Sequence, residues 1–187
     1  MADPTGSYAV RISGLWGRVH EVSDASGPAP QAIGRLSIHR GRWGVVRTAR
    51  WSPERGEVLE LRRDPGLLRG QFSLWTEARE WLGSSLRWSL LRREIVLHTG
   101  SRPLRLVPLP GFRCGWALQA PKTGEMARIL VAPLARQGRI EVCRKLDFEL
   151  VLFAYFLASQ VALEGFWPGP PPQPAAEVAS PVRPAGS

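Results

Sequence analysis

Two stretches rich in arginine carry the side chains best suited to bind an anion. Residues 35–50 read RLSIHRGRWGVVRTAR and hold no acidic residue, and residues 95–124 are also free of acids. A guanidinium binds phosphate oxygens through two parallel hydrogen bonds. The sequence therefore predicts a surface for anionic lipid headgroups or another polyanion, with the candidate residues Arg35, Arg40, Arg42, Trp43, Arg47, Arg50, Arg102 and Arg105. A solvated basic face that only favours solubility is the alternative interpretation.

The residue types used in catalysis are scattered along the chain. His20, His39 and His98 show no metal-ligand spacing and no neighbouring pair of carboxylates. Cys143 precedes two cationic residues, which lower the pKa of a thiol when they lie close to it, but no histidine partner can be named for it. The sequence holds no glycine-rich phosphate loop and no nucleophile elbow. We therefore expect no enzyme activity, no metal site and no cofactor.

The balance of charge points to an acidic partner. The chain has 187 residues, 44% of them hydrophobic, and a formal net charge of +9, which suits one globular domain with a core. An anionic membrane surface or a protein partner is expected. Nucleic acid is a weaker candidate, because Phe72, Trp75 and Trp116 would have to be exposed to stack on bases. Residues 1–10 show no secretory signal, so we expect a cytoplasmic location, peripheral at the inner membrane surface.

Alternation of apolar and polar residues dominates the chain before residue 147. In EVLELRR, residues 57–63, Leu59 and Leu61 point one way while Glu60 and Arg62 point the other. The same period of two recurs in segments 71–76, 94–99, 102–108, 115–120 and 138–144, with turn-rich stretches between them. We predict ten to twelve short strands in an antiparallel meander. Their similar hairpins favour an up-and-down barrel.

One long apolar stretch, DFELVLFAYFLASQVALEG, predicts a helix over residues 147–165. The uncharged run between Glu149 and Glu164 is about 14 residues, or roughly 21 Å of helix, which is short of a ~30 Å bilayer core. Asp147 is a suitable N-cap and Gly165 a suitable stop. A helix that is apolar nearly all round must be enclosed, so no transmembrane span is expected. A barrel around it meets that need, with Phe166 and Trp167 closing one mouth.

The hairpin GWALQAPKTGEMARILV, with the ending RIEVCRKLDFELVLFAYFLASQVAL, resembles the tubby C-terminal-like superfamily. That group includes the tubby proteins, the phospholipid scramblases and the LURP-one-related proteins. The resemblance covers residues 16–166 and implies a mainly β fold, a closed antiparallel barrel of about twelve strands enclosing a hydrophobic C-terminal α-helix. The resemblance lies in the pattern and order of strands, turns and the last helix rather than in invariant residues. No site residue is therefore carried over from it.

For function, the resemblance implies a non-catalytic module for phospholipid headgroups or a protein partner. A scramblase-like protein that moves lipids, or an arginine-rich module that binds nucleic acid, is the alternative. Calcium-linked scramblases carry an acidic segment just before the last helix, whereas this chain reads RIEVCRKLDFE there. A calcium site is therefore not expected.

The composition divides the chain into three parts. Residues 1–7 are expected to be a flexible N-terminus, and residues 8–167 form the predicted barrel domain. Residues 168–187 read PGPPPQPAAEVASPVRPAGS, a proline-rich segment without apolar periodicity that is expected to be disordered.

Overall fold

The chain folds into a closed β-barrel around one helix. The computed structural model describes residues 5–15, 18–41, 44–64, 71–86, 94–100, 103–109, 115–132 and 136–164. In these ranges the strands are β1 Gly6–Ser13, β2 Val19–Asp24, β3 Gln31–Arg40, β4 Val46–Pro53, β5 Leu59–Arg63, β6 Phe72–Thr76, β7 Trp81–Leu86, β8 Ile95–His98, β9 Leu104–Pro108, β10 Gly115–Ala120, β11 Gly124–Ala132 and β12 Gln137–Val142. The helix α1 spans Phe148–Glu164.

Each strand pairs antiparallel with its neighbours in the chain, and β12 pairs with β1 to close the barrel. Closure leaves no edge strand open for pairing with another chain. The predicted mainly β, closed antiparallel barrel of about twelve strands is thus confirmed. β1 begins before the boundary predicted at residue 8, since Gly6 and Ser7 already pair with Val142 and Glu141.

The alternation in the sequence sets which side chains face inward. Leu59 and Leu61 are 3% and 0% exposed, as predicted, while Arg62 faces solvent. Phe72 and Trp116 also lie in the core, so neither is placed to stack on a nucleic-acid base. Ser73 and Ala117 are buried although the alternation along their strands places them on the outer face. The hydroxyl of Ser73 accepts a hydrogen bond from the indole of Trp75, 2.9 Å away.

The helix lies inside the barrel. Residues 151–160 are all buried, which confirms that the apolar stretch turns inward. The helix starts one residue later and ends one residue earlier than predicted. The backbone carbonyl of Asp147 accepts bonds from the amides of Leu150 and Val151, as expected of an N-cap residue. Within the described ranges, no helix has the length and hydropathy needed to cross a bilayer.

Polar groups inside the barrel are paired with one another. His20 Nδ1 and the hydroxyl of Tyr155 are 2.7 Å apart and both are buried. Burial raises the pKa of Tyr155 well above its ordinary value, because the charged phenolate would lose its hydration. Ser159 donates to the carbonyl of Phe156 at 2.8 Å. Such pairing removes most of the cost of placing polar atoms in an apolar core.

The meander places its turns at two ends. The helix-start end carries Phe148 and the turns that follow β2, β4, β6, β8 and β10. The helix-finish end carries the connections that follow β1, β3, β5, β7, β9 and β11. Phe156 packs edge-on against Phe72 at the first residue of β6, with ring centres 5.0 Å apart, so the helix runs from the first end toward the second. Residues 165–187, with Phe166, Trp167 and the proline-rich segment, lie outside the described residues.

Candidate functional site

The structure brings two of the predicted arginines together on the outer wall. Arg35 on β3 lies opposite Ser52, and Arg50 on β4 lies opposite Ser37, so they are diagonal neighbours on one face. Arg35 pairs with Glu21 at 3.3 Å, and Arg50 pairs with Glu77 at 3.2 Å. Each guanidinium therefore already has an acidic neighbour, and exposed pairs of this kind stabilise a fold by little.

Arg105 lies apart from that pair. It projects from β9, which stands six strands from β3 around the barrel and hence on the opposite side. There it pairs with Glu94 at 3.5 Å. The other candidates, Arg42, Trp43 and Arg102, lie outside the described residues.

Arg40 turns into the barrel at the helix-finish end. Its Nη2 atom donates to Oε1 of Gln160 on the helix, and its Nη1 atom donates to the carbonyl of Gly44, both at 3.0 Å. The last turn of the helix holds no basic residue. The barrel wall thus supplies a positive charge near the negative end of the helix dipole, so the guanidinium of Arg40 serves the fold.

Among the candidates that the structure describes, Arg47 is the one that is exposed at the helix-finish end. The register of β3 and β4 shifts between His39 and Arg40, and this bulge leaves Arg47 exposed beside the turn. A Cβ atom on Gly41 would come within 2.8 Å of Nε of Arg47. Glycine at position 41 therefore leaves room for the arginine side chain to cross the turn.

Two arginines that the sequence did not single out lie at the same end. The carbonyl of Arg18 accepts the amide of Ile38 at 2.7 Å, which sets Arg18 on the other side of β3 from Arg47. The carbonyl of Arg136 accepts the amide of Ile12 at 2.9 Å, which sets it beside β1. Arg18, Arg47 and Arg136 are all exposed.

Exposed apolar side chains accompany these arginines. Leu15 in the β1–β2 turn is 73% exposed, and Val45 before β4 is 42% exposed. They are two of the three large exposed hydrophobic residues in the described part of the chain, the third being Trp81 on the outer wall. We call Leu15, Arg18, Val45, Arg47 and Arg136 the barrel-end patch.

Most arginines of the wall have an acidic partner, whereas those of the patch have none among the described residues; on the wall, exposed Arg11 of β1 is the exception. Along the wall, six arginines pair with glutamates: Arg35, Arg50, Arg62, Arg105, Arg128 and Arg139. In the described ranges, Arg18, Arg47 and Arg136 form no ion pair. Of the described carboxylates, Asp64 and Glu94 lie at this end, where Asp64 accepts from Ser73 and Glu94 pairs with Arg105. None of the described carboxylates pairs with an arginine of the patch.

Sequence reasoning missed Arg18 and Arg136 because it grouped charges by their distance along the chain. In a meander barrel, every second turn lies at the same end. Residues 18, 47 and 136 therefore lie at one end of the barrel although they are far apart in the sequence. Counting hairpins would have placed them together only with strand boundaries accurate to a residue or two.

The side chains that could hold a metal ion are dispersed in the described part of the chain. No group of three histidine, cysteine or acidic side chains converges there to hold a metal ion. Cys143 lies near Glu125, with Sγ and Oε1 4.0 Å apart. Burial, followed by the negative charge of Glu125, raises the pKa of the Cys143 thiol. Arg144 acts to lower that pKa, as expected of a neighbouring cation, but its effect and that of Arg128 are outweighed.

Comparison with known proteins supports the architecture. No family model and no curated protein sequence matches the chain. Its fold is similar to the X-ray structure of an Arabidopsis thaliana protein of the LURP-one-related family, with a TM-score of 0.57 over 86% of this chain and 94% of that chain, at 11% sequence identity. A likeness at this identity shows the fold alone. The barrel with an enclosed C-terminal helix thus has a structural relative in the LURP-one-related family.

Proposed function

We propose that the protein is a non-catalytic module that binds anionic phospholipid surfaces through the barrel-end patch. The observation that carries the proposal is the contrast between arginines. Six arginines on the wall are paired with glutamates. In the described ranges, Arg18, Arg47 and Arg136 form no ion pair, and they lie at the barrel end that also carries the exposed Leu15 and Val45.

The chemistry of the patch suits a membrane surface better than a soluble anion. Leu15 and Val45 gain by leaving water for the acyl boundary, and the guanidinium groups remain at the level of the phosphates. Each arginine near an anionic leaflet contributes ~1 kcal/mol. Three together would raise membrane partitioning on the order of a hundredfold.

The enclosed helix bears on the alternatives. Because residues 151–160 are buried inside the barrel, a scramblase-like activity that works through a single span of this helix is disfavoured. Nucleic acid would need exposed stacking surfaces; of the three aromatic candidates, Phe72 and Trp116 lie in the core and Trp75 is half-buried. A cytoplasmic module peripheral to the membrane, or one that meets an acidic protein partner, stays a prediction.

The test is sedimentation with vesicles of phosphatidylcholine alone and of phosphatidylcholine with phosphatidylserine. The triple variant Arg18→Ala, Arg47→Ala, Arg136→Ala is compared with Arg35→Ala, Arg50→Ala, Arg105→Ala. Both remove three positive charges, so a difference between them reports position rather than net charge. We expect the first variant to lose binding to the anionic vesicles and the second to keep it.

Equal losses in the two variants would show that net charge alone drives binding and would overturn the patch. Absence of binding by the unmodified protein would overturn the membrane proposal. Stronger binding to single-stranded RNA than to anionic vesicles at the same salt concentration would favour the nucleic-acid alternative.

A further inference from the structure

A cleft opens at the helix-start end of the barrel, away from the barrel-end patch. Its volume is about 290 Å³, at the small end of the range for ligand pockets. Its sides come from strands β1 to β5, the β4–β5 turn and the first turn of the helix. The mouth of the barrel is therefore not filled by the helix on this side.

Three aromatic rings gather around the first residue of the helix. The ring of Phe148 lies 5.2 Å from that of Tyr8 and 5.6 Å from that of Trp51, with planes tilted by 60° and 52°. Trp51 is 3% exposed and belongs to the core, whereas Tyr8 and Phe148 are half-buried. Tilted rings present both faces and edges to a cleft, and their faces attract a cation.

The charged residues that line the cleft are mostly acidic. Asp24, Glu57 and Glu149 contribute carboxylates, and Arg55 contributes one guanidinium, which leaves a balance of two negative charges. Glu149 stands in the first turn of the helix, where it offsets the positive end of the helix dipole. The potential in the cleft thus favours a cation over an anion.

The electrostatics at Tyr8 agree with a negative potential in the cleft. Burial, followed by the negative charge of Asp24, raises the pKa of the Tyr8 hydroxyl. Tyr8 and Asp24 are directly opposed across β1 and β2, so the carboxylate and the aromatic ring approach the cleft from adjacent strands.

We propose that this cleft binds a small organic cation that carries a methylated ammonium group. Such a group spreads its charge over methyl carbons, so it loses little hydration on meeting aromatic rings. A metal ion is a poorer fit, because no three carboxylate, imidazole or thiol groups converge among the described residues and a hard cation needs several oxygen ligands. Aromatic rings beside several carboxylates suit the methylated cation better.

The experiment titrates the full chain with choline and with dimethylbutanol, the neutral compound in which carbon replaces the choline nitrogen. Binding is followed by calorimetry and by the indole NMR signal of Trp51. We expect choline to bind and to shift that signal, and the neutral compound to bind at least fivefold more weakly. Equal binding of the two compounds, or no binding of choline, would overturn the proposal.

Two variants with a matched control locate the site. Asp24→Asn with Glu57→Gln removes two carboxylates of the cleft, while the asparagine oxygen can still accept the amide of Ser26. Glu54→Gln with Glu80→Gln removes two carboxylates at the same end that do not line the cleft. We expect the first pair to weaken choline binding by about tenfold and the second to leave it unchanged. Equal effects of the two pairs, or no effect of the first, would overturn the assignment.

The aromatic contribution is tested at Tyr8, whose ring is half-buried. Tyr8→Phe keeps the ring face and Tyr8→Leu removes it, so we expect choline affinity to be retained in the first and to fall about fivefold in the second. Equal affinity in the two variants, both shown to be folded by thermal unfolding, would remove the ring from the site.

Vesicles of phosphatidylcholine separate a lipid headgroup from a free cation as the source of the ammonium group. If the protein sediments with these vesicles and choline abolishes this binding, the ligand is the lipid headgroup. If the protein binds choline but not the vesicles, the ligand is the free cation. Both outcomes support the site. Vesicle binding that choline leaves unchanged, in a protein that binds no choline, contradicts it. None of these results depends on Arg18, Arg47 or Arg136, so the cleft and the patch can fail separately.

Discussion

The guanidinium of Arg40 and the side-chain amide of Gln160 meet at 3.0 Å across 120 residues of chain. Gln160 is 2% exposed and lies on the enclosed helix, while Arg40 ends strand β3. The bond joins the wall of the barrel to the helix inside it. An arginine that looked like part of a surface cluster in the sequence therefore couples the two halves of the fold.

Removing this coupling should cost stability. We expect Arg40→Ala to lower the free energy of unfolding by ~1.5–3 kcal/mol, the range for hydrogen bonds to charged groups, since a buried amide oxygen loses its donor. Arg35→Ala is the control, because its exposed pair with Glu21 contributes ~0–1 kcal/mol. Urea unfolding of the two variants measures the difference. Equal losses would contradict the role given to Arg40.

Gly34 should tolerate no side chain. A Cβ atom there would lie 2.7 Å from the carbonyl oxygen of Ser52 and 2.7 Å from the ring of Trp51. Because backbone and a buried indole cannot yield, we expect Gly34→Ala to destabilise the protein by ~1–3 kcal/mol. Gly27→Ala, where the nearest atom is the carbonyl oxygen of Ala29 at 3.9 Å, should be close to neutral. Thermal unfolding of the two variants measures the difference in stability, and equal stability of the two would contradict the close contact at Gly34.

Tyr155 should make the protein sensitive to alkali. Burial raises the pKa of Tyr155 in the folded state. The contribution of neutral Tyr155 to the free energy of unfolding is therefore complete below the unfolded-state pKa of ~10, and it is lost as the pH rises above that value. The free energy of unfolding should fall by up to ~1.4 kcal/mol per pH unit there. Tyr155→Phe should flatten this decline while costing ~1–3 kcal/mol at pH 7, because the buried hydrogen bond between Tyr155 and His20 is lost. Urea unfolding across pH 7–11 measures both effects, and an unchanged alkaline slope would contradict the assignment.

The apolar tips of the barrel-end patch should make vesicle binding resistant to salt. Salt screens the arginines but not the burial of Leu15 and Val45. We expect Leu15→Ser with Val45→Ser to weaken binding to anionic vesicles about tenfold, from ~1.5 kcal/mol of lost apolar transfer, and to make the remainder more salt-sensitive. Trp81→Ser is the control, since Trp81 is exposed on the outer wall instead. A larger loss in the control would move the contact surface to the wall.

Cys143 should be a slow nucleophile. Burial and the charge of Glu125 raise the pKa of its thiol, so little thiolate is present at neutral pH. In a Cys114→Ser background, alkylation by iodoacetamide should be slower than that of a free thiol at pH 7.5. Glu125→Gln should speed it by lowering that pKa. If Cys143 in the Cys114→Ser protein were alkylated as fast as a free thiol, the raised pKa of Cys143 would be contradicted.

The alternation in residues 57–63 and the apolar stretch 147–165 determined the fold class without any tertiary information. Side chains on a strand alternate between faces, so Leu59 and Leu61 had to face a core. A helix that is apolar all round and too short for a bilayer had to be enclosed. These are local physical constraints, and a single sequence contains them.

The placement of charge was decided only by tertiary structure. Arg35, Arg40 and Arg47 lie close together in the sequence, yet the first pairs with Glu21 on the wall, the second bonds to the helix and the third stands exposed at the barrel end. Arg18 and Arg136 join the third because turns on alternate hairpins share one end. Strand register and the bulge between His39 and Arg40 fix these outcomes, and both depend on contacts between residues far apart in the chain.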